Sequence, residues 1–465
     1  MPVHFLLNGE PRAEQGIPPS TTVLDYLRGH ARLTGTKEGC AEGDCGACTV
    51  VVARQRDGKM HYEAVNSCLM LLPQLDGAAV TTVEGLGTND ELHPVQKALV
   101  ETDGTQCGFC TPGFVMALYA FQQGNEPVET ERIHDVLAGN LCRCTGYKAI
   151  VAAAHAAAGA KPRAEAVPDV PSSRDYRCAE QAVWMPHSRD ELVKLRADHP
   201  DAVLIAGGTD LGLRASKDRE QFPKVILTGS VQDMLGVAVR DGALEIGGAA
   251  TYTMALPLIE QHFPSFAALI RRIGSRQIRN LGTLAGNMHT ASPIGDTPPC
   301  LIALGAEITL ASLTGMRTLP VEQFITGYRK TALRPDEVIT SIRIPFLSSG
   351  TQFTAYKLSK RFDQDISTVV AAFALKVEGD KVASLRAVYG GMAATTKRAT
   401  SVEQALIGEP WSAASLAKID DAVAKDFQPL TDFRGTAAYR LRAAAGLIRR
   451  LQVETTGDAV RLEAL

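Results

Sequence analysis

The chain has 465 residues, of which 45% are hydrophobic and 21% are charged, and its formal net charge is -3. This length exceeds one ordinary hydrophobic core, so the sequence predicts about two to four domains. The charge balance provides no basic surface for nucleic acid, and no apolar run approaches the roughly 18 residues that a membrane span needs. We therefore expect a multi-domain protein that binds neither nucleic acid nor membrane.

The N-terminal region predicts a small mixed sheet that carries four cysteines. Short β-like runs alternate with turns, and a helix with a threonine cap is expected near TTVLDYLRGH. Cys40, Cys45 and Cys48 follow a C-x4-C-x2-C pattern, and Cys68 lies downstream. This is the ligand spacing of plant-type [2Fe-2S] ferredoxins, in which soft thiolates bind iron. The pattern indicates electron transfer, with a disulfide-stapled loop as the alternative.

Glycines surround these cysteines in the segment TGTKEGCAEGDCGACTV. A loop that wraps an inorganic core needs turns with positive φ, which glycine adopts without strain. Backbone N–H groups that point at cluster sulfurs would also raise the reduction potential. The glycines therefore favour the cluster interpretation.

A second cysteine group follows in QCGFCTPGF and NLCRCTGY. Cys107 and Cys110 precede Cys142 and Cys144 by 31 intervening residues, which predict two helices with a Gly-Asn stop. Each pair is then expected at a helix terminus, where amide donors favour thiolate charge. The group predicts a second Fe-S cluster, and structural zinc is the alternative.

The remaining features before the C-terminal half concern compartment and domain boundaries. The start MPVHFLLNGEPR lacks the regions of a signal peptide, and the cysteines are spaced for metal, so a reducing cytoplasm is expected. Cys178 and Cys300 have no metal-spaced companion and are expected to be structural thiols. The proline-rich and charged stretch from Lys161 to Asp175 predicts an interdomain linker.

Two glycine-rich segments beyond the linker are candidates for phosphate binding. In VLIAGGTDLGL a buried strand leads into Gly207, Gly208 and Thr209, whose donors could meet a pyrophosphate ahead of the next helix. A tight turn is the alternative. The segment LGTLAGNMHTASPIGD is expected to form a second loop, with Asp296 behind a Ser-Pro turn. The first strand is not followed by G-x-G-x-x-G, which disfavours a Rossmann site.

Taken together, these motifs resemble a known family. CAEGDCGACTV, QCGFCTPGF, NLCRCTGY, IAGGTDL, GTLAGNMHTASPIGD and YKLSKRFDQDIS, in this order, are similar to the iron-sulfur and flavin subunits of bacterial xanthine dehydrogenases, in the molybdenum hydroxylase superfamily. The resemblance extends over roughly residues 3 to 455. It implies an α+β multidomain chain with a β-grasp ferredoxin domain, a helical [2Fe-2S] domain, a vanillyl-alcohol-oxidase-type FAD domain and an α+β C-terminal flavoprotein domain.

The resemblance also implies domain bounds. They are residues 1–86 for the ferredoxin domain, 87–160 for the helical domain, 161–178 for the linker, 179–348 for the FAD domain and 351–460 for the C-terminal domain, which resembles that of CO-dehydrogenase flavoproteins.

The cofactor residues implied by the resemblance comprise eight cysteines and two flavin segments with flanking positions. The cluster ligands are Cys40, Cys45, Cys48 and Cys68, then Cys107, Cys110, Cys142 and Cys144. The flavin positions are Leu204, Ile205, Ala206, Gly207, Gly208, Thr209, Asp210, Leu211, Ile273, Thr283, Leu284, Ala285, Gly286, Asn287, Asp296, Ile339 and Lys357. Ile273 departs from the family, which commonly has a phenylalanine beside the flavin ring.

A charged run near the flavin motifs has two interpretations. Lys357, Lys360, Arg361, Asp363 and Asp365 fall in KLSKRFDQD, and such runs usually form solvated loops. The functional alternative is that these charges set the potential near the flavin and the access of nicotinamide. We expect charge reversal at Lys360 and Arg361 to distinguish the two.

The sequence shows cofactor sites but no catalytic side-chain constellation, so no catalytic residue is predicted. The resemblance implies a large molybdopterin-binding partner, in an α2β2 hetero-oligomer, that converts hypoxanthine and xanthine to urate. Its electrons would pass through the helical-domain cluster, the ferredoxin-type cluster and FAD to NAD. Three alternatives stay open: a partner that oxidises an aldehyde or another N-heterocycle, a free-standing flavin electron carrier, and a zinc-containing interaction scaffold.

Overall fold

The computed structural model describes residues 1–88, 90–157, 159 and 172–457. It divides into two compact units. The first comprises Met1–Asp233, Thr251–Thr253 and Gly274–Thr283, and the second comprises Met234–Ala250, Met254–Ile273 and Leu284–Leu465. Most of the expected linker lies outside the described residues, although Asp175–Cys178 within its expected bounds form a strand.

The first unit begins with the predicted mixed sheet. Its strands run in the order β2-β1-β5-β3-β4, and only the β1–β5 pair is parallel. They are β1 (Val3–Leu7), β2 (Glu10–Glu14), β3 (Thr49–Arg56), β4 (Lys59–Asn66) and β5 (Ala79–Thr81). The predicted helix is confirmed as α1 (Val23–Asp25) continued by a π-helical turn (Tyr26–His30), and Thr22 caps it by accepting from Asp25 N at 3.0 Å.

Strand β2 was not predicted from the sequence. Its residues, EPRAE, are exposed or half-buried and lack apolar alternation, because β2 forms the edge of the sheet. Short 3-10 turns complete this region at Leu72–Leu75 and Val83–Gly85.

Four helices follow, in agreement with the predicted helical region. They are α2 (Pro94–Glu101), α3 (Thr111–Gln123), α4 (Thr130–Leu137) and α5 (Lys148–Ala157). Helix α3 is buried along nearly its whole length and supplies Phe114 and Tyr119 to the core, where Ile133 and Ile150 join them. A helix that is apolar on all sides requires neighbours on all sides, which explains its central position.

A small four-stranded sheet in the order β6-β7-β9-β8 contains the first glycine-rich loop. Its elements are β6 (Asp175–Cys178), β7 (Gln181–Trp184), α6 (Arg189–Asp198), β8 (Val203–Ile205), α7 (Gly212–Ser216) and β9 (Lys224–Leu227), followed by 3-10 turns at Thr228–Ser230 and Gln232–Met234. Strands β7 and β8 both pair in parallel with the central β9. The loop therefore leaves the carboxyl end of a parallel strand, where open α/β sheets place their ligands.

The second unit contains two antiparallel sheets and a short hairpin. The first sheet has the order β10-β11-β16-β12-β13, the second has the order β17-β18-β19-β20, and β14 pairs with β15. The strands are β10 (Val237–Arg240), β11 (Ala243–Gly247), β12 (Glu307–Ser312), β13 (Gly315–Pro320), β14 (Ile325–Gly327), β15 (Lys330–Thr331), β16 (Val338–Pro345), β17 (Thr351–Leu358), β18 (Val369–Glu378), β19 (Lys381–Gly390) and β20 (Lys397–Arg398).

The later helices alternate with these strands along the chain or follow them. They are α8 (Tyr252–His262), α9 (Pro264–Arg271), α10 (Arg276–Arg279), α11 (Leu284–Thr290), α12 (Thr297–Ala303), α13 (Val321–Phe324), α14 (Thr400–Leu406), α15 (Ile419–Asp426) and α16 (Ala437–Thr456). Helix α10 and the first two residues of α8 belong to the first unit. Apolar side chains of α14, α15 and α16 form one core with strands β18 and β19, as expected for a sheet with one covered face. Within the described ranges, no helix is long and apolar enough to cross a lipid bilayer.

Candidate cluster and flavin sites

The first cysteine group forms two sulfur pairs. Cys48 Sγ lies 3.3 Å from Cys68 Sγ, and the Cys40 and Cys45 side chains are hydrogen-bonded to each other. The described residues include all ten cysteines, and every one is a free thiol. In a [2Fe-2S] cluster with four cysteines each iron takes two thiolates, so two pairs are the expected arrangement.

Backbone amides surround Cys40 as the glycine pattern predicted. The N–H groups of Glu42, Asp44 and Cys45 donate to its sulfur at 3.4, 3.3 and 3.3 Å. Together with the hydrogen bond from the Cys45 side chain, which is the largest influence, these donors lower the pKa of Cys40 to about 5. Gly43 has a φ of 80°, and a Cβ at Gly39 would lie 2.8 Å from Cys45 Sγ. The loop is therefore built to stabilise thiolate charge.

The second group also forms two pairs, each with one cysteine from each motif. Cys107 Sγ and Cys144 Sγ are 3.3 Å apart, and Cys110 is hydrogen-bonded to Cys142. A hydrogen bond from the Phe109 amide is the main cause that lowers the pKa of Cys107. Each of the two motifs therefore contributes one sulfur to each pair.

The expected placement of this group at helix termini is only half correct. Cys110 directly precedes α3, in the capping position. Cys142 and Cys144 instead lie in the loop between α4, which ends at Leu137, and α5, which begins at Lys148. That loop needs its length because its sulfurs must reach back to those beside α3.

In the first unit, the segment Leu204–Leu211 forms the end of β8 and the loop that follows it. A Cβ at Gly207 would lie 1.8 Å from the Leu281 carbonyl oxygen, and Gly208 has a φ of 77°. Gln74 also donates to Ala206 O at 3.2 Å. The predicted helix after the loop is confirmed, but α7 has only five residues and begins at Gly212, so its dipole is small.

The second predicted loop is mostly helical. Thr283 is buried in the first unit and forms an isolated antiparallel bridge with Thr251. Leu284, Ala285, Gly286 and Asn287 form the start of α11 in the second unit, and Asn287 accepts from Thr297 Oγ1 at 2.6 Å. The expectation of one continuous loop was therefore wrong, because apolar Leu284 and Met288 bury one face of a helix.

In the second unit, Asp296 and Lys357 form a buried ion pair. Lys357 Nζ donates to Asp296 Oδ2 at 2.7 Å and to Arg272 O at 2.8 Å, while Ser367 Oγ donates to Asp296 Oδ1 at 2.5 Å. The side chains of Lys357 and Asp296 are only 2% and 10% exposed. Lys357 therefore lies on β17. The interpretation of the charged run as a solvated loop is wrong for this residue, because its side chain is buried.

Ser367 and Arg272 are site neighbours that the sequence analysis missed. Arg272 donates to Lys357 O at 2.9 Å and to Ser359 Oγ at 3.2 Å, and its guanidinium lies 4.5 Å from the ring centroid of Phe362. Ser367 falls inside the quoted motif YKLSKRFDQDIS, which was the available signal. Nothing local to Arg272 indicated its contacts.

The other charges of the run do lie in the loop after β17. Lys360 and Arg361 are exposed, Lys360 Nζ donates to Phe433 O at 2.5 Å, and Arg361 N donates to Asp365 Oδ2 at 2.8 Å. The two remaining flavin positions are partly buried: Ile273 follows α9, and Ile339 lies on β16.

Four family models match the chain in succession. They are the 2Fe-2S iron-sulfur cluster binding domain (residues 5–72), the [2Fe-2S] binding domain (82–155), the FAD binding domain in molybdopterin dehydrogenase (176–347) and the CO dehydrogenase flavoprotein C-terminal domain (354–455). The expected α+β fold with two [2Fe-2S] domains, an FAD domain and a C-terminal flavoprotein domain is thereby confirmed.

Individual relatives agree with these matches. The chain is 33% identical to xanthine dehydrogenase of Emericella nidulans, over 96% of this chain and 38% of the relative. It is 32% identical to xanthine dehydrogenase/oxidase of Gallus gallus, over 88% of this chain and 36% of the relative. The chain thus spans less than two fifths of the length of these curated relatives.

A solved structure shares the architecture of part of the chain. It is carbon monoxide dehydrogenase from Hydrogenophaga pseudoflava, in a form that lacks the Mo-pyranopterin moiety of the molybdenum cofactor. The match has a TM-score of 0.55 and 28% identity, and it covers 58% of this chain and 94% of the other. The chain is thus an iron-sulfur and FAD-binding oxidoreductase region that is homologous to the N-terminal part of xanthine dehydrogenase, and it belongs to the molybdenum hydroxylase family.

Proposed function

We propose that this chain is the electron-transfer subunit of a xanthine dehydrogenase, which connects a molybdopterin-bearing partner to NAD. The observation that supports this most directly is the share of this chain that each relative matches. Xanthine dehydrogenase of Emericella nidulans matches 96% of the chain and xanthine dehydrogenase/oxidase of Gallus gallus matches 88%, whereas the carbon monoxide dehydrogenase chain matches 58% of it. The fusion of both cluster domains with the flavin domain therefore favours the xanthine dehydrogenase type, with the partner assembled as α2β2.

In this proposal the eight paired cysteines hold two [2Fe-2S] clusters, and the chain's own residues tune them. When bound, the clusters supply one-electron transfer and FAD supplies the exchange between single electrons and a hydride. Amide donors at Cys40 offset the negative charge of the cluster ligands. Cys107 and Cys144 are exposed, so the helical-domain cluster is the one that faces an external donor.

The flavin positions divide into backbone and side-chain roles. Leu204–Leu211 would offer backbone N–H groups and the Thr209 hydroxyl to the pyrophosphate of FAD. Thr283, Leu284, Ala285, Gly286 and Asn287 are the second phosphate-side segment in the proposal. Lys357 is held by Asp296 and Arg272, so its ammonium is fixed in position, and Ile273 and Ile339 supply apolar contacts.

The test is isolation of the tagged chain from its native host. We expect a large companion chain, molybdenum, iron and FAD in the cytoplasmic fraction, and xanthine-dependent NADH formation. Molybdenum without xanthine turnover would redirect the proposal to an aldehyde or another N-heterocycle as substrate. Iron and FAD without molybdenum or a companion would contradict the subunit role and favour a free-standing carrier.

A further inference from the structure

Gln277 lies where two cluster-binding loops meet. The first carries Cys40, Cys45 and Cys48 and ends at β3, and the second carries Cys142 and Cys144 between α4 and α5. Gln277 belongs to α10, in the sequence of the FAD domain, yet its side chain is completely buried in the first unit. Gln277 Nε2 donates to Asn140 Oδ1 at 2.9 Å and to Thr49 Oγ1 at 3.3 Å. Thr49 follows the ligand Cys48, and Asn140 lies two residues before the ligand Cys142. One amide group therefore contacts the first residue of β3, directly after Cys48, and the loop that carries Cys142.

The two loops are also joined directly. Leu141 N donates to Cys45 O at 2.9 Å, and Asn140 Nδ2 donates to Gly46 O at 3.1 Å. The first of these bonds connects the residue before Cys142 to a ligand of the other group. The path from Cys45 through this hydrogen bond to Leu141, and along the backbone to Cys142, is therefore a short connection between the two sets of sulfurs.

The packing at this junction leaves no room for adjustment. A Cβ at Gly139 would lie 2.0 Å from Gln277 Oε1, and a Cβ at Gly46 would lie 2.2 Å from Gly139 O. Gln277 Oε1 is buried without a hydrogen-bond partner among the described residues. Such a group is costly to bury, so the amide must be stabilised by its other contacts, which are the donor bonds to Asn140 and Thr49.

Helix α10 is anchored on both cluster domains. Arg276 pairs with Glu126 and Arg279 pairs with Asp135, both in the helical domain. Asn280 Nδ2 donates to Ala64 O on β4 at 2.8 Å. These contacts fix the helix that presents Gln277, independently of the amide itself.

We propose that Gln277 is a positioning residue that holds the two cluster-binding loops in register, so that the Cys45–Leu141 hydrogen bond between them is maintained and the clusters stay electronically coupled. The proposal rests on the proposed function, because coupling matters only for electron transfer. Its chemistry lies entirely in this chain's amides, and it requires neither the partner nor a substrate.

The test compares Gln277→Leu with Lys97→Gln, a control at an exposed position of the helical domain. In Gln277→Leu we expect unchanged iron and flavin content, a changed magnetic interaction between the reduced clusters in electron paramagnetic resonance, and about tenfold faster hydrogen exchange at the Leu141 amide. Lys97→Gln should leave both readouts as in the wild type. Equal readouts in all three proteins would overturn the proposal.

Two further measurements cover the remaining outcomes. If the Gln277→Leu protein does not fold, Gln277→Met replaces it in the same comparison, because the methionine side chain has a similar length but no amide group. The wild-type Leu141 amide must itself exchange slowly, and exchange at the rate of an open loop would reject the proposal without any variant. A wild-type chain without Fe-S absorption would instead reject the proposed function, so the two failures are distinguishable.

Discussion

Lys357 Nζ lies 2.7 Å from Asp296 Oδ2, and this contact joins residues 61 positions apart within the second unit. Both side chains are buried, and the pair is completed by Ser367 and by the Arg272 carbonyl. A buried ion pair with these additional bonds is costly to break, because removing one partner leaves the other charge uncompensated.

We therefore expect Lys357→Met to destabilise the protein by about 3–5 kcal/mol and to reduce the FAD retained per chain. Chemical denaturation and flavin absorbance would measure the two effects. Lys376→Met is the matched control, since Lys376 is 31% exposed and pairs with Glu378 on the same strand. Wild-type stability in Lys357→Met would contradict the structural role of the pair.

The Arg317–Glu337 pair predicts a pH dependence of stability. Hydrogen bonds from Arg317 and then from the Arg334 amide lower the pKa of Glu337, despite opposition from burial. A lowered folded-state pKa stabilises the fold above the ordinary carboxyl pKa, and this contribution is lost as pH falls through the folded-state value. Arg317 is 34% exposed, so solvent screening limits the contribution.

Glu337→Gln should accordingly lower the free energy of unfolding by about 1–2 kcal/mol at neutral pH, and this difference from wild type should shrink in acid. Denaturant titrations at several pH values would measure it. Asp336→Asn, at the neighbouring position, is the control. A pH-independent difference would point to packing as the cause.

Ligand assignment predicts separable cluster losses. Cys68→Ala should remove the first cluster and Cys142→Ala the second, so each variant should retain about half of the iron and one of two cluster spectra. Cys178→Ser, at a cysteine outside both groups, should keep all of the iron. Loss of both spectra from one substitution would show that the two groups do not bind separate clusters.

An aromatic ring at position 273 is expected to strengthen FAD binding. If Ile273 lies beside the flavin, Ile273→Phe should make the free energy of FAD binding more favourable by about 0.5–1.5 kcal/mol, the range of aromatic pair contacts. Ile273→Leu keeps an aliphatic side chain and controls for shape. The measurement is the dissociation constant for FAD, and equal values for the two variants would place the flavin ring away from this residue.

The exposed charges at Lys360 and Arg361 predict a selective effect on NAD. Reversal of both to Glu should slow NAD reduction through altered charge, whereas dye reduction should continue. Lys381→Glu, an exposed reversal elsewhere in the C-terminal sequence, provides the comparison. An unchanged NAD rate in the double variant would reject a role for these charges. Because Lys360 also bonds to Phe433 O, thermal stability should be checked in parallel.

Elements with a strong local signal were predictable, and those defined by partners were not. The apolar helix α3 and the threonine-capped α1 follow from residues within one or two turns. Strand β2 was missed because an edge strand with a polar sequence is defined by its pairing with β1. The second glycine-rich segment was assigned as a loop because glycine content outweighed its apolar spacing, yet packing made it α11.

The sequence by itself determined the metal chemistry, because thiolates a few residues apart in a glycine-rich loop can meet one cluster whatever the rest of the fold does. It also determined the order of domains. Only the tertiary structure decided which sulfurs pair across 20 and 37 positions, that Lys357 is buried, and that Gln277 contacts both cluster loops. Those contacts depend on which strands and helices become neighbours, and a local pattern does not contain that information.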